Sequence, residues 1–316
     1  MPSPSALRRV RKSMGERFKV VEVGPRDGLQ NEKQLIATST KIHLIESLAK
    51  CGLPTVEATS FVSPQWVPQM ADAEEVYKDV NKRPETRYPV LVPNLKGLER
   101  ALAVQVDEIA VFGAASESFS QKNINCGIAE SLQRFRPVIE QATEAGISVR
   151  GYVSCVLGCP YEGRIAIADV ARVAVALYEG GCYEISLGDT IGSGRSQEAR
   201  ALVHALAEEI PIDKLAVHFH NTRNQALPNI FACIEEGIRV ADASVAGLGG
   251  CPYAPHSAGN VATEDLVFML EGMGFDTGVK LPRLIDTGRF ISDTLRRRNG
   301  SKLSRAGLPK HYFERD

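Results

Sequence analysis

The segment Leu215-Ala216-Val217-His218-Phe219-His220 is an apolar run of strand length, with Pro211 and Asp213 just before it. Residues i and i+2 of a strand share a face, so both imidazoles project together from the strand's end. Two neutral histidine nitrogens side by side make half of a divalent-metal site; a pair of polar residues closing a strand is the simpler alternative. Outward from this segment, β-branched runs recur roughly every 30 residues, a spacing that holds a strand, a helix and two loops. Strands are expected near Lys19–Val23, Thr55–Thr59, Pro89–Val92, Glu108–Phe112, Ser148–Val153, Tyr183–Leu187, Ala216–His220 and Val240–Ala246. Between them, apolar residues fall at helical spacing in Thr38–Leu48, Ala166–Tyr178, Gln197–Ile210, Gln225–Glu236 and Ala262–Met273. Strand–helix units without a linker predict an α/β fold, one (β/α)8 TIM barrel. A C-terminal helical extension, about Leu281–Arg297, follows it, with Arg296-Arg297-Arg298 as a solvated helix end. The competing doubly wound sheet lacks a Gly-x-Gly-x-x-Gly after its first strand.

Composition narrows the function. At 316 residues, 44% hydrophobic and 24% charged, the chain is long enough for one large core. A net charge of −1 without a basic block predicts no nucleic-acid partner, and no apolar run of spanning length predicts no membrane partner. Residues 1–16 read as a basic, disordered tail, with an organelle presequence remnant as the alternative, and residues 17–316 as the barrel domain with its C-terminal helix. Seven cysteines without a CxxC pair fit reduced thiols in a cytoplasmic compartment. Most of them read as small core residues.

Barrel enzymes place their sites at the C-terminal ends of the strands, and those ends are rich in polar residues here. Arg26 and Asp27 follow the first strand in Pro25-Arg26-Asp27-Gly28, as an anion-binding and metal-binding pair or as turn chemistry. Glu57 puts a carboxylate in an apolar strand, which calls for a salt bridge, Arg26 being the partner to hand, or for a catalytic role. Arg150 lies on the fifth strand. Asp189 ends the sixth strand, as a catalytic acid or as a cap for the next turn. Cys251 sits in the glycine-rich run Gly247-Leu248-Gly249-Gly250-Cys251-Pro252-Tyr253, which reads as a lid carrying a proton donor or nucleophile, or as a structural turn. Asn260 could cap the helix beginning near Ala262 or offer its oxygen to a metal.

Five stretches together resemble the 3-hydroxy-3-methylglutaryl-CoA lyase family. They are Val21–Glu32, Glu57–Pro64, Gly151–Cys155, His218-x-His220 and Gly247–Ala254, and the resemblance runs from about Phe18 to Asn299. It implies a metal-dependent TIM-barrel carbon–carbon lyase that cleaves an acyl-CoA thioester to acetyl-CoA and acetoacetate. It also implies a divalent ion, Mg2+ or Mn2+, held by Asp27, His218, His220 and Asn260, and no organic cofactor. By the same resemblance Arg26 stabilises the enolate, and Cys251 is the lid thiol. Glu57 and Asp189 are important acids, and Lys33, Asn123 and Arg150 sit around the substrate. Asp27, ahead of His218, is the expected base. A homo-oligomer, a dimer first, is the expected assembly. The chain departs from the family at Asn221, Arg223 and His256, the last two adding positive charge near the mouth, so a longer or more acidic branched 3-hydroxyacyl-CoA is an alternative substrate. A condensing acyltransferase of the same barrel group is the alternative reaction.

Overall fold

Parallel pairing accounts for every strand. In the structure, a computed structural model that describes residues 15–250 and 259–314, one curled sheet holds β1 (Lys19–Glu22), β2 (Thr55–Val56), β3 (Thr59–Ser60), β4 (Val90–Leu91), β5 (Glu108–Ala114), β6 (Ser148–Ser154), β7 (Glu184–Asp189), β8 (Leu215–Phe219) and β9 (Val240–Ala243). Their spatial order is β2-β1-β9-β8-β7-β6-β5-β4-β3. The two edges are consecutive in sequence. Backbone bonds from Glu57 N to Glu22 O (2.8 Å) and from Ala58 N to Pro89 O (2.9 Å) carry the ladder across the join. Thus β2 and β3 are halves of one strand, and the expected eight-stranded barrel closes on itself. Closure leaves no exposed edge.

Helices cover the outside because each presents an apolar stripe to the strands. Those flanking the site's elements are α1 (Thr38–Lys50), α2 (Ile128–Glu144), α3 (Ile167–Glu179), α4 (Ser196–Leu206), α5 (Ala226–Glu236) and α6 (Thr263–Gly272). In α3 the buried residues Val170, Val173, Ala174 and Leu177 follow helical spacing. After α6, helix α7 (Leu281–Thr294) packs on α1 and on the segment after β9. It ends at Thr294, short of the expected Arg297. Arg297 is half-buried and donates to Glu32 Oε1 at 2.5 Å, so it ties the extension to the loop after β1 and is no solvated end.

The inside of the barrel is unusually polar. Residues alternating along the strands put Arg150 and Tyr152 of β6, Glu184 and Ser186 of β7, His218 of β8 and Asp242 of β9 into the lumen, all of them buried. Register sets Arg150 opposite Glu184 and His218 opposite Asp242. All six described cysteines are buried and form no disulfide. No described helix is long and apolar enough to cross a membrane. Of the expected tail 1–16, Gly15 and Glu16 are ordered instead: Gly15 N donates to Gly274 O at 3.1 Å and Asp276 N to Glu16 O at 2.9 Å. Residues 1–14, together with Cys251 and His256, lie outside the described residues.

Candidate active site

Strand β1 runs straight into a single π-helical turn, Gly24–Gly28. Asp27 N and Gly28 N both donate to Val23 O, at 2.8 and 3.1 Å. Such wide turns are rare and cluster at functional sites. The turn packs so closely that a Cβ on Gly24 would lie 2.6 Å from Glu22 Oε1. It aims Arg26 and Asp27 into a cavity of about 1060 Å3 at the C-terminal mouth of the barrel. His218 and His220 reach the same cavity from the end of β8.

Ligand atoms of Asp27, His218 and His220 lie within 4.8 Å of one another. A backbone bridge between His220 and Asn260 brings the fourth residue in, and Asn260 Nδ2 donates to Asp27 Oδ2 at 2.7 Å. Among the described residues, buried His220 Nδ1 has no partner, an expense that an ion would remove. Burial, then the neighbouring His218, pushes the His220 pKa down to about 4, so its ring is neutral and able to ligate at neutral pH. Burial raises the Asp27 carboxyl, but Arg26 and the two histidines outweigh it and hold the group below its ordinary value. Burial lowers the His218 pKa, but the Asp242 and Asp27 carboxylates outweigh it and raise the group above its ordinary value. Two imidazoles, a carboxylate and an amide form a donor set suited to a divalent cation once a proton has left His218.

Arg26 is fixed from two sides. Its Nε donates to Glu57 Oε2 at 2.9 Å and its Nη1 to Asp27 Oδ1 at 2.9 Å. Tyr152, which the sequence reading did not single out, lies beneath it. The Tyr152 hydroxyl donates to Glu57 Oε2 at 3.3 Å, and its ring is 5.5 Å from the Arg26 guanidinium and 4.9 Å from that of Arg150. The i, i+2 spacing of Arg150, Tyr152 and Ser154 was the available signal for a shared inner face. Glu57 is fully buried, and burial raises its carboxyl despite Arg26. Lys33 and Asn123 are exposed on the outer wall of the cavity, near Trp66, which is 84% exposed.

Two expected residues stand elsewhere. Arg150 is 1% exposed, lies a layer below the mouth and does not line the cavity; its donors go to Glu184 and Asp242. Asp189 accepts from Ser193 N at 3.1 Å and Gly194 N at 2.9 Å, closing its own loop. Burial raises its carboxyl. Arg223 does not reach the mouth: its Nη1 donates to Ile191 O and Gly192 O, and it does not line the cavity. Asn221 accepts from Ala226 N at 3.3 Å, at the start of α5. The expected thiol, Cys251, falls outside the described residues, but Gly250 just before it lines the cavity.

The family model described as HMGL-like matches residues 17–291. The chain is 59% identical over 291 residues to hydroxymethylglutaryl-CoA lyase, mitochondrial, of Gallus gallus, covering 92% of this chain and 98% of that protein. A crystal structure of hydroxymethylglutaryl-CoA lyase from Pseudomonas aeruginosa superposes with a TM-score of 0.90 at 53% identity, covering 93% of this chain and 98% of that one. An HMG-CoA lyase of Acinetobacter baumannii, solved with coenzyme A and 3-methylmalate, gives 0.89 at 36% identity over 93% and 96% of the two chains. A barrel with this mouth, matched by one family model along nearly its whole length, makes the chain a member of the HMGL-like family.

Proposed function

We propose that the protein is a divalent-metal-dependent lyase that cleaves 3-hydroxy-3-methylglutaryl-CoA to acetyl-CoA and acetoacetate. The observation that carries this reading is the convergence of Arg26, Asp27, His218 and His220 on one cavity mouth, with Asn260 hydrogen-bonded to Asp27 beside them. Relatives of more than half identity bear the name of that activity.

The substrate carries a tertiary hydroxyl on the carbon β to its thioester carbonyl. Asp27, His218, His220 and Asn260 hold the ion, Mn2+ suiting the mixed nitrogen and oxygen donors and Mg2+ being the second choice. When bound, the ion supplies Lewis acidity toward the hydroxyl and a fixed positive charge. Asp27, ionised at neutral pH, takes the hydroxyl proton. The C2–C3 bond then breaks, its electron pair passes to C2, and acetoacetate separates from the enolate of acetyl-CoA. Arg26, held by Glu57 and braced by Tyr152, presents fixed donors to the enolate oxygen. Cys251 delivers a proton to C2. Lys33 and Asn123 on the outer wall take the CoA arm.

Arg223 bears on the choice of substrate. Its guanidinium is held by the Ile191 and Gly192 carbonyls and does not line the cavity, so it offers no direct partner to a second acidic group on the acyl chain, and the methylglutaryl substrate is favoured. The test is a panel of branched 3-hydroxyacyl-CoA thioesters assayed with Mn2+ for acetyl-CoA release. The methylglutaryl thioester is expected to give the highest kcat/KM. A longer or more acidic substrate that outruns it tenfold would overturn the substrate assignment.

A further inference from the structure

Asp242 serves nothing in the mechanism above, yet it is 1% exposed in the barrel lumen and surrounded by donors. Its Oδ1 accepts from Arg150 Nη2 at 2.7 Å. Its Oδ2 accepts from Ser186 Oγ at 2.8 Å and from Arg150 Nη1 at 3.1 Å, and it lies 3.1 Å from His218 Nδ1. Arg150 is anchored in turn: its Nε donates to Glu184 Oε1 at 2.7 Å, and Lys19 Nζ donates to Glu184 Oε2 at 2.6 Å. The result is a column of alternating charge, Lys19, Glu184, Arg150 and Asp242, which ends on a histidine of the mouth.

We propose that Asp242, locked by Arg150, is a positioning residue that fixes His218 as its Nδ1–H tautomer and so leaves Nε2 bare toward Asp27 and His220. The inference rests on the metal reading of that cluster and not on the identity of the substrate. Its chemistry is simple. A carboxylate paired to a guanidinium fork only accepts hydrogen bonds, so the imidazole nitrogen facing it must donate. In the neutral ring the lone pair then sits on Nε2, which lies 3.9 Å from Asp27 Oδ2. Carboxylates that orient ligating histidines in this way are a general feature of metal sites. Register makes the contact rigid, since His218 and Asp242 are direct neighbours on β8 and β9. Arg150 therefore acts one step removed, through Asp242, and not on the substrate. A buried ion-pair column is a poor source of stability but a good source of orientation.

Imidazole 15N NMR on the full-length, metal-free protein tests the tautomer directly. Wild type is expected to show His218 protonated at Nδ1; an Nε2–H tautomer overturns the proposal, whatever the variants do. Asp242→Asn offers one acceptor, which Arg150 takes, so its amide N–H faces His218. The ring is expected to switch to Nε2–H, and Mn2+ affinity, read from the EPR signal of the free ion, to fall about 10–100-fold. An unchanged tautomer with affinity within twofold of wild type overturns it as well. In Arg150→Lys the cation remains but the fork is lost. Weaker Mn2+ binding with an unchanged KM is expected, whereas a raised KM at unchanged Mn2+ affinity would return Arg150 to the substrate. The tautomer and Mn2+ measurements need no substrate, so a failed lyase assay leaves this test intact.

Discussion

Arg26 and Glu57 stabilise each other before either meets a substrate. Both are buried, and the guanidinium donates through Nε and reaches the same carboxylate with Nη2 at 2.8 Å. Removing one member of such a pair strands a charge and costs about 3–5 kcal/mol. Arg26→Met is therefore expected to lower the melting temperature as well as to cut turnover about 10²–10³-fold through the lost oxyanion donor. Arg26→Met with Glu57→Gln should recover the stability and none of the turnover. Thermal melts beside kcat separate the two roles, and a double variant that regained activity would make Arg26 structural. At this scale the sequence was readable where chemistry dictates residue type. Strand spacing singled out His218 and His220, whereas Asp27 and Asn260 stood beside turn and cap readings until the family resemblance joined them to the pair. Asp242 and Tyr152 escaped because their importance lies in what a barrel register places opposite them.

Two buried glutamates govern the elements around the mouth. Glu22 Oε1 accepts from Gly24 N at 2.8 Å and from Val245 N at 2.9 Å, and Glu22 Oε2 accepts from Thr263 Oγ1 at 2.6 Å. Glu264 accepts from Ala246 N with both oxygens, at 3.1 and 3.0 Å, and from Ser304 Oγ at 3.1 Å. These carboxylates draw the backbone N–H groups of Val245 and Ala246 out of the ladder, and Ala246 turns to φ 57°. That is why the last strand stops at Ala243 and not at the expected Ala246. Alternation alone extends a strand until a side chain from elsewhere captures its backbone, and no local pattern announces the capture. Burial pushes Glu22 up to about 7 and Glu264 up to about 8. Both values are raised above those of the unfolded chain, so the folded state binds protons more tightly. The stabilisation is complete below about pH 4.5 and is lost as pH rises through 7 to 8. Glu264→Gln is expected to flatten the fall in melting temperature of the metal-free protein between pH 5 and 9. A variant whose fall matched wild type would assign that pH dependence to other groups.

Across the molecule, strand recurrence fixed the barrel because each unit repeats one hydrophobic rhythm. It could not show that the second strand pairs as two short halves around Glu57, nor that the lumen is ionic, since both depend on closure. Three segments remote in sequence supply the proposed ligands, the turn after β1, the end of β8 and the stretch before α6, so an ion bound there cross-links the fold. Adding Mn2+ to the chelated protein should raise the melting temperature by several degrees, about 2.7 kcal/mol at a hundredfold excess over Kd. His220→Ala should abolish most of that rise. An equal rise in the variant would move the ion elsewhere. Cys251→Ser is expected to bind acyl-CoA and lose most cleavage; normal cleavage would make the thiol structural. The most direct measurement titrates metal-free protein with Mn2+ while following 3-hydroxy-3-methylglutaryl-CoA. Cleavage should rise to a plateau at one equivalent per chain, with acetyl-CoA and acetoacetate in equal amounts. Full cleavage in the chelated protein, or no acetyl-CoA at saturating Mn2+, would contradict a metal-dependent lyase at this mouth.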